Sequence, residues 1–174
     1  MNYVKTLAFF LGWLAIASMS YADNGNAGNN NKGASDLDGS KPMAVYKSPT
    51  CGCCGDWVDY MKSADFAVRI HHPNNLNEIK KQLGVSPRYQ SCHTGIKNGY
   101  FFEGHIPAEV VKHFLEAKPD AVAGLAVPGM PMGSPGMDVS GRYRPYEVVK
   151  IHKDGSSQPY ARVSADAIVY LEAP

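Results

Sequence analysis

Along the chain the apolar positions change period several times, and each change marks an element. Met43, Ala44, Val45 and Tyr46 form a short continuous apolar run that stops at Ser48-Pro49-Thr50, which reads as a buried strand entering a loop. Trp57, Val58, Tyr60 and Met61 then fall at helical spacing behind Gly52 and Gly55, so a helix is expected to begin around Cys54. Ala67 to Ile70 reads as a second strand, and Leu76, Ile79 and Leu83 give a second helix closed by Gly84. Thr94–Lys97 and Tyr100–Glu103 flank Asn98-Gly99, a strong signal for a two-residue hairpin. Pro107 and Glu109 suit a first helical turn, and Val110, Val111, Phe114 and Leu115 supply one apolar face of a third helix. The predicted order from Met43 to Ala117 is β-α-β-α-β-β-α.

Periodicity fades after that. Gly124 to Met137 is rich in Gly, Pro and Met and reads as a loop, and Glu147–His152 is expected to pair with Tyr160–Val163 as a hairpin across Asp154-Gly155. At the other end, the apolar run from Thr6 to Ala17 follows Lys5 and is too short for a membrane-spanning helix, which needs roughly 20 apolar residues. Ser20 and Ala22 complete a small-x-small pattern, so residues 1–22 read as a secretory signal peptide and the protein as exported to the periplasm. Residues 23–41 are dominated by Asn, Gly and Ser and read as a flexible leader. The folded core is then expected over 42–118, with a C-terminal extension over 119–174.

Composition narrows the function classes. The 174 residues carry 17 basic and 16 acidic side chains, a net charge of +1, which lacks the clustered Lys/Arg that phosphate neutralisation demands. No nucleic-acid partner is expected, and no membrane insertion of the mature chain, which has no second apolar run of membrane length. No hydrolase elbow, phosphate loop or paired-carboxylate signature is present. His71, His72, His113 and His152 sit beside polar or basic neighbours and read as surface residues.

The four cysteines carry the chemistry. Cys51, Cys53 and Cys54 lie within four residues at the strand-to-helix junction, and Cys92 stands apart in Ser91-Cys92-His93-Thr94. A C-x-x-C at a helix start favours thiolate through the free N–H groups and the helix dipole, which suits thiol redox chemistry with Cys51 and Cys54 as the reactive pair. The same clustered thiolates select soft metals and can hold more than one ion. Two structural disulfides are disfavoured because a bridge between the adjacent Cys53 and Cys54 is strained and Cys51, Cys53 and Cys54 cannot all pair with the single distant Cys92, and a zinc site usually divides its ligands into two spaced pairs. His93 enters the hairpin and Glu103-Gly104-His105 leaves it. Met130, Met132 and Met137 lie in the Gly/Pro loop, either as soft thioether ligands or as flexible filler of the core.

The segments SPTCGCCGDWV, SCHTGIKNGYFFEGHIP and LAVPGMPMGSPGM, in that order, resemble the CopG-like family of exported CxCC copper-resistance proteins over about Met43 to Met137. The resemblance implies an α/β, thioredoxin-like domain with a C-terminal extension containing the Met/Gly/Pro loop and the hairpin. It further implies copper bound in one or more ions and interconverted between Cu(I) and Cu(II), a copper oxidoreductase activity in copper resistance. Metal-ligand positions carried over from it are Cys51, Cys53, Cys54, Cys92, His93, His105, Met130 and Met137; Met132 is not carried over. The expected partners are copper ions and a periplasmic copper efflux or carrier protein. A metal-free thiol–disulfide oxidoreductase and a passive copper store are the alternatives.

Overall fold

The computed structural model describes residues 41–117, 119–138 and 141–171; the expected signal peptide and all but the last residue of the leader lie outside the described residues. The fold is mixed α/β. In chain order the elements are β1 (Met43–Lys47), α1 (Gly52–Ser63), β2 (Val68–His71), α2 (Leu76–Gln82), a 3-10 turn at Pro87–Tyr89, β3 (His93–Lys97), β4 (Tyr100–Glu103), α3 (Ala108–Ala117), β5 (Val122–Ala126), β6 (Tyr146–His152), β7 (Ser157–Val163) and β8 (Ile168–Tyr170). The predicted β-α-β-α-β-β-α order is therefore observed through α3. Helix α1 begins earlier than its apolar period implies: Cys51 is its N-cap and Gly52 its first residue, since the first turn carries cysteines and glycines rather than large apolar side chains.

All eight strands join one sheet in the order β2-β1-β3-β4-β5-β6-β7-β8. β1 runs parallel to β2 and antiparallel to β3, and the β3–β4 hairpin turns at Asn98 (φ 52°) and Gly99 (φ 81°), the positive values that Asn-Gly supplies at low cost. The expected late hairpin forms as β6–β7. Two strands were not expected. β5 takes Gly124, Leu125 and Ala126 out of the segment expected to be a loop and pairs them in parallel with β4, and β8 adds a three-residue edge.

Strand alternation sends neighbouring residues into different layers. Met43, Val45 and Phe102 pack with Trp57, Val58 and Met61 of α1 and Val110, Val111 and Phe114 of α3, whereas Phe101 and Ala126 pack with Val85, Tyr89 and Ile151. His113, expected on the solvated side of α3, is instead half-buried: its ring stacks on Tyr170 at 3.9 Å and Nδ1 lies 2.6 Å from the Tyr160 hydroxyl, because β7 and β8 extend the sheet beneath α3. No helix among the described residues is long and apolar enough to cross a membrane.

Candidate metal centre

The loop after β1 delivers three sulfurs to the start of α1. Cys51 and Cys54 are joined as a disulfide, with Cα atoms 5.4 Å apart as one helical turn allows, and the free Cys53 Sγ lies 3.6 Å from Cys51 Sγ. The fourth sulfur arrives from the other side of β1. β3 is its antiparallel neighbour, so the residues that enter β3 lie at the end where β1 exits, Lys47 opposite His93. Cys92 thereby faces the CxCC turn, and its carbonyl is 3.8 Å from Cys54 Sγ.

Whether His105 returns to this edge depends on strand lengths. β3 and β4 are short enough that it does, helped by Gly104 at φ +76°, whose N–H bonds the His93 carbonyl at 3.0 Å. Cys92 Sγ is 3.0 Å from His105 Nε2 and 3.3 Å from His93 Nδ1. Two potential ligand sets result, Cys51/Cys53/Cys54/Cys92 and Cys92/His93/His105, each with its ligand atoms within 4.8 Å of one another. Cys92 belongs to both.

Electrostatics prepare the imidazoles for ligation. Burial holds the pKa of His93 well below the usual imidazole value, aided by the nearby His105 and Lys80, and burial lowers that of His105 as well. Both rings are therefore neutral at neutral pH, with lone pairs free of protons. His105 Nδ1 lies 2.8 Å from the Pro135 carbonyl, which can only accept, so Nδ1 carries the proton and the Nε2 lone pair faces Cys92. His93 Nε2 is buried with no hydrogen-bond partner among the described residues. The Cys92 thiol is pushed up to about 11, chiefly by burial and secondly by Cys53.

The loop carrying Met130 and Met137 meets this cluster through main-chain atoms. Pro135 accepts from His105, and Gly136 packs so tightly on α1 that an added Cβ would lie 2.6 Å from Trp57 N and 2.7 Å from the Cys53 carbonyl. Met130 is 53% exposed, so it does not plug the core, and Met137 is half-buried with its main chain bonded to Gly133 and Ser134. Three groups around the cluster escaped the sequence reading. Trp57, fully buried, packs against His93 with ring centroids 4.3 Å apart and planes tilted by 40°, and donates Nε1–H to the Ile106 carbonyl at 2.9 Å. Lys80 and Glu103 form a buried ion pair beneath the Ser91-Cys92 turn. The signal for Lys80 was present: it lies four residues after Leu76, on the apolar stripe of α2.

A neutral, buried imidazole pair beside clustered cysteines fits a soft ion of variable valence, since sulfur favours Cu(I) and imidazole also accepts Cu(II). The imidazole nitrogens placed to join the Cys92 sulfur around an ion are His93 Nδ1, 3.3 Å from it, and His105 Nε2, 3.0 Å from it. A disulfide sulfur is a poor ligand, so the full four-sulfur set requires two electrons and two protons to open Cys51–Cys54.

Residues 89–137 match a family described as protein of unknown function, DUF411. Two solved structures are similar over most of the described chain, both described as copper resistance protein copG. Form 2 is 36% identical with a TM-score of 0.67, the match covering 71% of this chain and 99% of that one. Form 1 is also 36% identical with a TM-score of 0.67, covering 72% of this chain and all of that one. No curated protein matches.

Proposed function

The chain belongs to the family of copper resistance protein CopG, and we propose that it is a periplasmic copper-binding protein of copper resistance that takes copper as its substrate, holds it in the Cys/His cluster and interconverts Cu(I) and Cu(II). The observation that carries this reading is the convergence of Cys51, Cys53, Cys54 and Cys92 with His93 and His105 into two overlapping ligand sets. The CopG resemblance adds Met130 and Met137 as ligands, and it reads the β1 to α3 segment as a thioredoxin-like core, supported by the β2-β1-β3-β4 strand order. Export by residues 1–22 supplies the compartment. An oxidising periplasm turns bare clustered thiols into disulfides unless a metal or a reductant protects them, which gives the cluster a reason to hold copper. Delivery then passes to a periplasmic copper efflux or carrier protein.

Anaerobic titration of the reduced protein with Cu(I), against a competing chromophoric chelator, tests the binding. Absence of binding, or binding undiminished when Cys51, Cys53 and Cys54 are all changed to Ser, overturns it. Interconversion has its own stoichiometry. Two Cu(II) and two thiols give two Cu(I), one disulfide and two protons, so thiol loss should match Cu(I) formation one for one when Cu(II) is added. Copper bound with no thiol loss leaves a passive carrier.

One observation favours a second reading. Cys51–Cys54 is a disulfide at the start of a helix with a free thiol 3.6 Å away, as a thiol–disulfide oxidoreductase would have. That reading expects turnover of a disulfide substrate such as insulin in metal-free buffer, abolished by Cys51→Ser; no turnover dismisses it.

A further inference from the structure

A buried polar network lies on the far side of β3 and β4 from Trp57. Lys80, 2% exposed, reaches from α2 to Glu103, which is fully buried, and also donates to the Thr94 hydroxyl at 2.9 Å. Thr94 lies directly across the β3–β4 ladder from Glu103 and donates to its Oε2 at 2.5 Å. Glu103 Oε1 also accepts the main-chain N–H of Ser91 at 2.6 Å. A buried ion pair of this kind rarely adds net stability, because the desolvation of both charges offsets their attraction, so its presence asks for another explanation.

Ser91 supplies one. It immediately precedes Cys92, and its hydroxyl donates to the Gly129 carbonyl of the Met-bearing loop. Glu103 is followed by Gly104, which packs so closely against Ser91 that an added Cβ would lie 2.6 Å from Ser91 Oγ, and then by His105. Cys92 and His105 thus hang from two chain segments that the Glu103 carboxylate and main chain tie together, and their 3.0 Å S···N separation is set at that junction.

We propose that the Lys80–Glu103 pair is a positioning device for the metal centre, in which Glu103 clamps the Ser91 N–H and so holds Cys92 in register with His93 and His105, while Lys80 and Thr94 fix the carboxylate. This deepens the copper-binding reading and rests on it for its functional consequence. Lys80 and Glu103 touch no copper ligand atom; they act through Ser91. Outer contacts that orient metal ligands typically contribute 10–100-fold to affinity, which sets the expected scale.

Removing Glu103 alone would strand Lys80 in the core and risk unfolding. The test variant is therefore Lys80→Met/Thr94→Val/Glu103→Met, which replaces the network with apolar groups of similar size; the conservative partner Lys80→Met/Glu103→Gln keeps an oxygen acceptor for Ser91. Four measurements are made on the mature protein: thermal midpoint, Cu(I) affinity by chelator competition, and, without metal, hydrogen exchange at the Ser91 amide and the alkylation rate of Cys92. The expected result for the apolar variant is a midpoint near that of the wild type, Ser91 protection lost, faster Cys92 alkylation and Cu(I) affinity lowered by about 10–100-fold. The Gln variant recovers most of each. An apolar variant that binds Cu(I) as tightly as the wild type, or one whose affinity loss the Gln variant does not reverse, overturns the proposal. If the wild type itself fails to bind copper, the functional reading falls, and the metal-free measurements alone decide the clamp: unchanged Ser91 exchange and Cys92 alkylation then overturn it.

Discussion

Replacing Gly136 by Ala tests whether the Met-bearing loop is locked onto the start of α1 or merely lies beside it. Two costs are expected. Gly136 has φ +78°, a conformation that opposes a Cβ by about 1–2 kcal/mol. The new methyl would also lie 2.6 Å from Trp57 N and 2.7 Å from the Cys53 carbonyl, well inside the 3.4 Å of ordinary contact. Both atoms belong to the α1 backbone, so neither can rotate away, and the loop must retreat at a cost of about 1–3 kcal/mol typical of overpacking. Retreat carries Pro135 with it and breaks the hydrogen bond that fixes the His105 tautomer, so Cu(I) affinity should fall by about tenfold or more. Gly129→Ala is the control, because Gly129 has φ +70° but nothing within 4 Å of a built Cβ. Urea denaturation and chelator competition on both variants separate the two costs. Gly136→Ala should lose about 1–3 kcal/mol more than Gly129→Ala and bind copper more weakly. Equal stabilities and equal affinities would refute the close-packed account of the loop.

The redox state of the CxCC turn should gate binding. The oxidised protein retains only Cys53, Cys92, His93 and His105 as ligands of full strength, so its Cu(I) affinity should be lower than that of the reduced protein by at least tenfold, and equal affinities would show that Cys51 and Cys54 are not ligands. Cys92 alkylation should rise about tenfold per pH unit between pH 7 and its raised value of about 11, because only the thiolate reacts and burial favours the thiol; a plateau by pH 9 would contradict the burial argument. Acid should act on the imidazoles in the opposite sense. His93 and His105 are held below the usual value of 6.5 in the folded state, so their neutral forms contribute stability that is present above pH 6.5 and is lost as pH falls through the depressed values. A His93→Phe variant should flatten the acid side of the stability–pH curve, and an unchanged slope would argue against a buried neutral His93.

The parts of the fold that periodicity revealed are those whose elements bury one face against a uniform layer. α3 is the clearest case, with Val110, Val111 and Phe114 all buried, and the Asn98-Gly99 turn specified its hairpin by backbone chemistry alone. β5 hid for the opposite reason. Its sequence VAGLA places a glycine where strand propensity is weak, yet an added Cβ at Gly124 would lie 2.1 Å from the Phe101 carbonyl, so the close approach of β4 demands that residue and erases the strand signal at once. β8 is too short to show a period, and its existence depends on β7 lying ready beside it.

The site divides along the same line. Cysteine spacing and the CxCC-to-hairpin order exposed the sulfurs, because reactive residue types announce themselves wherever they stand. What assembled them was not local. Cys92 meets Cys54 only because β3 inserts beside β1, and His105 meets Cys92 only because β3 and β4 have matched lengths and Gly104 turns the chain back. Lys80 illustrates the limit most sharply. Read along α2, it is one more charged residue of a surface helix; read with Leu76, Ile79 and Leu83, it occupies the face that must meet the sheet, where a lysine survives only with a buried acid opposite. A charge on an apolar stripe therefore predicts a partner on another element. Here that partner, Glu103, stands two residues before a candidate ligand and accepts from the main chain of the residue before another, so the buried lysine of α2 connects through one carboxylate to both segments that carry the cluster.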